Sequence, residues 1–393
     1  MRARILSLGL FAGAVVMAAC SGGDHETAAT EVADFSGATP STTPPAAIAS
    51  PKPARTPTSA ATPKPSATTA QTTQTSLHKK KTKSTARNAA PAASGTGWLG
   101  VIGAPNCTAL ASNNVLATPI TSLPVNARNA AWKSASNASG RSLHPDFGPS
   151  YGEQPVPYGL PWQVVTNAHQ KVSVTFQYAS ESDRGPYPLG TDTPIEGGPN
   201  ADGDRHALVI NRDTCKLYET FDTHYARSGS HAGSGAIFTL GSNAMRPAGW
   251  TSADAAGLPI FPLLLRWDEV KAGAVKHAIR FTVSRTDRRY IWPASHQAGS
   301  AANQNLPPMG ARARLRADFS LAGYSRNAQV VIKAMKTYGV IVADNGSDWY
   351  FQGDASTQWP ESLISELKRI PAGKFDFIDE SSLRKAANSY AVK

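Results

Sequence analysis

Side chains able to move protons or grip sugar hydroxyls gather between Glu196 and His296 of this 393-residue chain. Glu196-Gly-Gly-Pro-Asn-Ala-Asp-Gly-Asp-Arg-His206 leads directly into an apolar run, which sets Asp204, Arg205 and His206 at a strand mouth. The two-residue spacing of Asn200, Asp202 and Asp204 is only a loose match to a calcium loop, because the glycine is misplaced and a distal Glu is missing. A polar turn accounts for it, and no metal site or cofactor is expected. Ser230-His231-Ala-Gly-Ser-Gly sets a histidine among small residues that let a ligand approach the backbone, without the glycines of a nucleophile elbow or a phosphate loop. Arg246, Trp250 and Asp254 follow, then Arg266, Asp268, Glu269, His277 and Arg280, and finally Arg288, Tyr290, Trp292 and His296.

This mixture suits carbohydrate. Aromatic faces stack on sugar C–H surfaces, and charged groups make directional bonds to hydroxyls. Histidine titrates near neutral pH without much tuning, so His231 is placed in the main cleft with Asp254, His277 or Glu269, and Arg280. These give four catalytic candidates, His231, Asp254, His277 and Glu269. The substrate-binding candidates are Arg280, Trp250, His206, Arg266 and Trp292. A uronate polymer would suit β-elimination by a histidine base with a neutralising arginine. A neutral polymer would need two facing carboxylates, for which Asp254 and Glu269 are the candidates. The bland alternatives stay open: His231 as a packing residue, and the carboxylates as salt-bridge partners of neighbouring arginines. Asp344-Asn-Gly-Ser-Asp348 reads first as a hairpin turn.

The elements that must hold these residues are mostly strands. Short β-like runs lie at 171–179, 206–211, 215–221, 236–240, 277–283, 289–292, 312–316, 338–343 and 349–352, separated by Gly, Pro, Asn and Asp. In 171–179 (KVSVTFQYA) the residues Val172, Val174, Phe176 and Tyr178 alternate onto one face, as in a half-buried strand. Two helices are expected. Ser325 caps 325–336, where Ala328, Val331, Ile332 and Met335 form a stripe, and 360–369 opens on Pro360 with Leu363, Ile364 and Leu367 aligned. The expectation is a mainly β fold, a β-sandwich or jelly-roll-like core with a few peripheral α-helices, in a single domain over 96–393.

The first twenty residues read as an export signal: Arg2 and Arg4, an apolar run over 5–16, then Ala18-Ala19-Cys20. Met17-Ala18-Ala19-Cys20 resembles the lipobox of bacterial lipoproteins, with Met where Leu is usual. The resemblance implies cleavage after residue 19 and lipidation at Cys20, hence a lipid-anchored envelope protein, at the outer membrane if the host is Gram-negative. Residues 20–95 are rich in Ala, Thr, Ser, Pro and Lys and lack apolar periodicity, so a disordered tether of roughly 50 Å mean reach is expected. The remaining pair, Cys107 and Cys215, reads as a disulfide in an oxidising compartment. Of the net charge of +11, ten of the 39 Lys and Arg against four of the 28 Asp and Glu fall before residue 96, which leaves a surplus of five beyond. Lys79, Lys80, Lys81 and Lys83 supply much of the early surplus, and export argues against nucleic acid as a partner.

The stretches DRHALVINRDTCKLYE (204–219), HAGSGAIFTLGSNAMRPAGWTSADAAGLPI (231–260), HAIRFTV (277–283) and MKTYGVIVADNGSDWY (335–350) resemble a group of secreted bacterial proteins. That resemblance covers most of 97–393. It implies export and no particular reaction, cofactor or catalytic residue. Two classes therefore stand: an envelope-anchored hydrolase or lyase acting on polysaccharide, and a non-catalytic carbohydrate-binding or structural lipoprotein with the same surface. The anchor is checked directly. Cys20→Ser should abolish labelling by a fatty-acid analogue and release the protein from membranes, and retained labelling would refute lipidation.

Overall fold

The computed structural model describes residues 100–149 and 158–393. The signal peptide, Cys20 and the tether expected over 20–95 lie outside these residues. The described chain runs β1 (Gly100–Val101), β2 (Ala104–Thr108), α1 (Asn129–Ala135), β3 (His144–Asp146), β4 (Trp162–Val165), β5 (Val174–Phe176), β6 (Ala207–Asn211), β7 (Lys216–Phe221), β8 (Ser230–Ala232) and β9 (Ser234–Thr239). It continues through α2 (Trp267–Ala272), β10 (Ile279–Val283), β11 (Arg312–Leu315), α3 (Arg326–Thr337), β12 (Val340–Asn345), β13 (Tyr350–Gln352), α4 (Glu361–Leu367) and β14 (Phe375–Phe377). The fold is mainly β.

One sheet has four strands in the order β4-β6-β7-β9. Both its faces are covered, which is why β6 is buried at every position. Leu208, Ile210, Leu217 and Phe238 pack with Phe261 and Leu264 on one side. On the other, Val209 and Tyr218 meet Phe176 and Tyr187. Burying each large apolar side chain fully contributes about 1.5–3 kcal/mol. The second sheet has six strands, β14-β11-β12-β10-β13-β3. Ile279, Phe281 and Val283 of β10 enter the largest core cluster with Val331, Ile332 and Met335 of α3 and with Trp349, Phe375 and Phe377. Ser325 caps α3 by accepting from the Ala328 amide at 3.3 Å. Among the described residues no helix is long and apolar enough to cross a membrane.

Several expectations need correction. A jelly roll pairs its strands antiparallel, whereas β10–β12, β3–β13, β4–β6 and β5–β8 are parallel here. In 171–179 only Val174–Phe176 forms a strand. Tyr178 is 46% exposed because the chain turns away immediately afterwards. The run 289–292 makes one isolated bridge, Tyr290 to Met309, and meets Pro293, which has no amide to donate. The Asn345-Gly346 turn does not close a hairpin either. β12 and β13 flank β10, so the chain between them steps over the end of that strand. Gly346 donates to the Val283 carbonyl at 3.0 Å and Trp349 to the Thr282 carbonyl at 3.0 Å. A Cβ on Gly346 would crowd Thr282 at 3.0 Å, which is why a glycine sits at the crossing.

Cys107 in β2 is bonded to Cys215, which sits at φ 50° just before β7, with the two Cα atoms 5.4 Å apart. The bond pins β2 to the four-stranded sheet and spans a sequence separation of 108. Loop entropy puts its stabilisation at up to about 4.7 kcal/mol, so Cys107→Ala with Cys215→Ala should lower the urea midpoint accordingly. Peptide mass after alkylating the denatured, unreduced protein should find both cysteines unlabelled. Two labels would disprove the bond.

Candidate functional site

Alternate side chains of a strand leave on opposite faces. With Ile279, Phe281 and Val283 in the main core, Arg280 and Thr282 face the other way. Pairing extends that polar face across the sheet. Thr282 lies beside Tyr350 on β13 and beside Asp344 on β12. Tyr350 and Gln352 lie beside His144 and Asp146 on β3. Continuing the register gives two rows: Asp146, Gln352 and Arg280 in one, and His144, Tyr350, Thr282 and Asp344 in the next.

Arg280 is 2% exposed and grips Asp254 with a two-pronged pair, Nη2 to Oδ1 at 3.0 Å and Nε to Oδ2 at 3.3 Å. Burial pushes the Asp254 carboxyl up and outweighs the pull of Arg280 and His206. Asp344 is half-buried at the end of β12, and its Oδ1 accepts from the Asn345 amide at 2.7 Å. Burial and the Asp254 charge raise it from 3.8 to about 7; Arg280 opposes this, while Asp204 adds to it. Asp146, also half-buried, accepts from the Tyr158 hydroxyl and from Gln352 Nε2 at 3.5 Å. Burial lifts it, the Tyr158 bond opposes, and the Glu196 charge adds to the lift. The His144 ring stacks on Tyr350, centroids 4.0 Å apart at 15°, and both are half-buried.

A loop from the other sheet closes the floor. His206 Nδ1 meets Glu196 Oε2 at 2.6 Å, and its Nε2 meets the Ala253 carbonyl at 3.1 Å. Both ring nitrogens face acceptors, so both carry protons. Burial works against that charge, but Glu196 dominates and His206 rises to about 9. Glu196 correspondingly ends below its usual range despite burial. Farther along, Glu219 of β7 is fully buried and accepts from the Ile260 amide at 2.9 Å and the Phe261 amide at 2.8 Å. Burial lifts its carboxyl to about 7, against the pull of those two amides.

The expected quartet of His231, Asp254, His277 and Glu269 does not converge. Glu269 and His277 form their own closed cluster with Arg266, which donates from Nη2 to Glu269 Oε1 at 2.5 Å. His277 Nε2 contacts Glu269 Oε2 at 3.0 Å and its Nδ1 the Ala278 carbonyl at 2.7 Å. All three side chains are at most 4% exposed, which suits a packing role. His231 sits exposed on β8, its ring stacked on His224 at 4.6 Å. Trp250 lies under the Arg246 guanidinium at 5.5 Å. Trp292 donates to the Ser389 carbonyl at 2.9 Å and lines a groove of about 950 Å³ that shares no residue with the Arg280 face. Of the nine residues proposed for catalysis or substrate binding, Asp254, Arg280 and His206 meet in one place.

Sequence reasoning missed Asp146, Tyr158, Gln352 and Glu219 as site residues. Glu219 had a visible signal, a carboxylate inside a strand whose neighbours are apolar or small. Asp146 had none, since its partners lie far along the chain. Among the described residues, no group of three or more His, Cys, Asp or Glu is arranged to hold a metal ion. Comparison with protein-family models, curated proteins and solved structures finds no match.

The electrostatics of Asp344 set a stability test. A carboxyl raised in the folded protein favours the fold most below its ordinary value of 3.8, and that advantage is lost as pH rises through about 7. Asp344→Asn removes the ionisation, so its thermal midpoint should exceed that of the natural protein at pH 8 and approach it at pH 4. An equal gap at both pH values would show that Asp344 is not held protonated.

Proposed function

We propose that this domain is an exported, envelope-anchored glycoside hydrolase acting on a polysaccharide, with Asp344 as its general acid. One observation carries the reading: a half-open carboxyl kept protonated towards neutral pH stands on the same sheet face as a second raised carboxyl, Asp146. Of the two raised carboxyls, Asp344 is lifted to about 7 and so holds its proton nearest to neutrality, which suits the acid role. In this scheme Asp344 gives its proton to the glycosidic oxygen as the C–O bond breaks. Asp146 takes a proton from the water that adds to the anomeric carbon. The strands of Asp146 and Asp344 are three steps apart in the sheet, roughly 14 Å between backbones. That is wider than the roughly 5–5.5 Å of a covalent-nucleophile pair and the roughly 6.5–9.5 Å of a water-activating pair, so in this scheme Asp146 takes the proton through an intervening water rather than directly.

His144 and Tyr350 offer a stacked, half-exposed platform for a sugar face. Arg280 is spent on Asp254 and hidden from solvent, so it is not free to neutralise a uronate. That favours hydrolysis over β-elimination. The His206–Glu196 pair positions the Ala253–Asp254 backbone rather than meeting substrate.

A polysaccharide panel scored by reducing ends tests the reading. Asp344→Asn should lose turnover by about 10²-fold or more while still binding the polymer. Activity of the natural protein should fall as pH rises through about 7, where Asp344 ionises in the field of Asp254, Asp204 and Arg280. Binding by the natural protein with no turnover of any polymer would favour a carbohydrate-binding role instead.

A further inference from the structure

The charges on this face are not balanced. Five carboxyl groups, Asp146, Glu196, Asp204, Asp254 and Asp344, surround two cations, Arg280 and His206. Arg280 is paired with Asp254 and His206 with Glu196. Asp146, Asp204 and Asp344 have no salt bridge among the described residues. The chain as a whole is basic, at +11, so this acidic patch is a local feature of the face. A second observation points to a ligand. Gln352 is 7% exposed and sits in the same row as Asp146 and Arg280, with its amide nitrogen turned to Asp146. Its Oε1 has no hydrogen-bond partner. A buried acceptor without a donor costs free energy unless something supplies one.

We propose that the face selects saccharides bearing protonated amino groups, the repeating ammonium of a de-N-acetylated amino-sugar polymer, and rejects uronates. The proposal rests on the reading of this face as a saccharide site. An ammonium brings both positive charge and N–H donors, with Asp204 receiving it at the exposed rim and Gln352 Oε1 accepting a donor deeper in. A uronate carboxylate would enter beside Asp146 and Asp204, neither of which has a salt bridge among the described residues, with both local cations already engaged. Like charges placed against one another are how a site excludes the wrong partner.

Calorimetry of the full chain with three oligosaccharide sets separates the outcomes: glucosamine oligomers, N-acetylglucosamine oligomers of the same linkage, and galacturonate oligomers. The glucosamine oligomers should bind at least about tenfold tighter than the acetylated set, and high salt should shrink that margin. Asp204→Asn, on an exposed residue outside the proposed proton-transfer pair, should erase the margin without lowering the thermal midpoint. Equal or tighter binding of acetylated or galacturonate oligomers overturns the amino-sugar inference and leaves the hydrolase reading standing. If the glucosamine oligomers fail to bind while a polymer of the panel is hydrolysed, only the inference falls. If nothing binds and nothing is hydrolysed, both fall.

Discussion

A guanidinium buried in the middle of a sheet governs the arrangement of this domain. Arg280 occupies a β10 position that the pleat turns away from the main core, yet it is almost wholly removed from water. An unpaired charge there would cost several kcal/mol, so Asp254 must lie against it. Asp254 belongs to a loop following the other sheet, and the ion pair therefore fixes where that loop runs. Other bonds hold it to the same course. The Ala256 amide donates to the Ala343 carbonyl on β12 at 2.9 Å, Ser252 Oγ donates to the Leu258 carbonyl at 2.6 Å, and Glu219 on β7 receives the amides of Ile260 and Phe261. The loop is thus fastened to both sheets, with Asp254 at the junction.

That placement adds to what burial already does to the carboxyl beside it. Asp254 cannot approach Arg280 without also approaching Asp344, whose proton is then held into the neutral range. The protonated group arises from burial first, with the Asp254 charge that neutralises Arg280 adding to it. Above neutral pH Asp344 is also less favourable to stability than a neutral residue would be, because its ionised form is the one that burial and Asp254 disfavour. His206 plays the opposite part. Its charge is matched by Glu196, and together they clamp the Ala253 carbonyl at the approach to Asp254.

Much of the frame was legible. The strand runs at 206–211 and 215–221, the Ser325-capped helix and the Cys107–Cys215 bond all follow from patterns local in the chain or from the arithmetic of cysteines. Asp254, Arg280 and His206 stood out because charged groups at strand mouths and in polar loops are conspicuous. Partnership was not legible. Spacing shows that Glu269 and His277 can share an α2–β10 neighbourhood, but not that Arg266 seals them off from solvent. It cannot show that β13 lands on the far side of β10, because Asn-Gly signals a turn and says nothing of what the turn steps over. Asp146 and Gln352 become site residues only through that crossing, which brings β3 and β13 onto the Arg280 face.

Two of the arginine–carboxylate clusters among the described residues contain residues singled out from the sequence, and they differ in their surroundings. In one, Arg266 bonds Glu269 and the Phe261 carbonyl, Glu269 also holds His277, and His277 uses its other nitrogen on a backbone oxygen. Those three groups have turned their hydrogen-bonding capacity inward and lie out of solvent, as a structural cluster should. In the other, Arg280 is equally buried and equally paired, yet its surroundings are unfinished. Asp344 keeps a proton, Asp204 stands exposed without a counter-ion, and Gln352 holds a buried oxygen that nothing in the protein satisfies. Residue types alone would rank the clusters the other way, since the first contains the histidine and glutamate favoured for proton transfer. Asp268 beside Arg266 also carries an unsatisfied oxygen, so the exposed Asp204 without a counter-ion and the carboxyl of Asp344 raised to about 7 are the grounds on which a site is proposed at the Arg280 face.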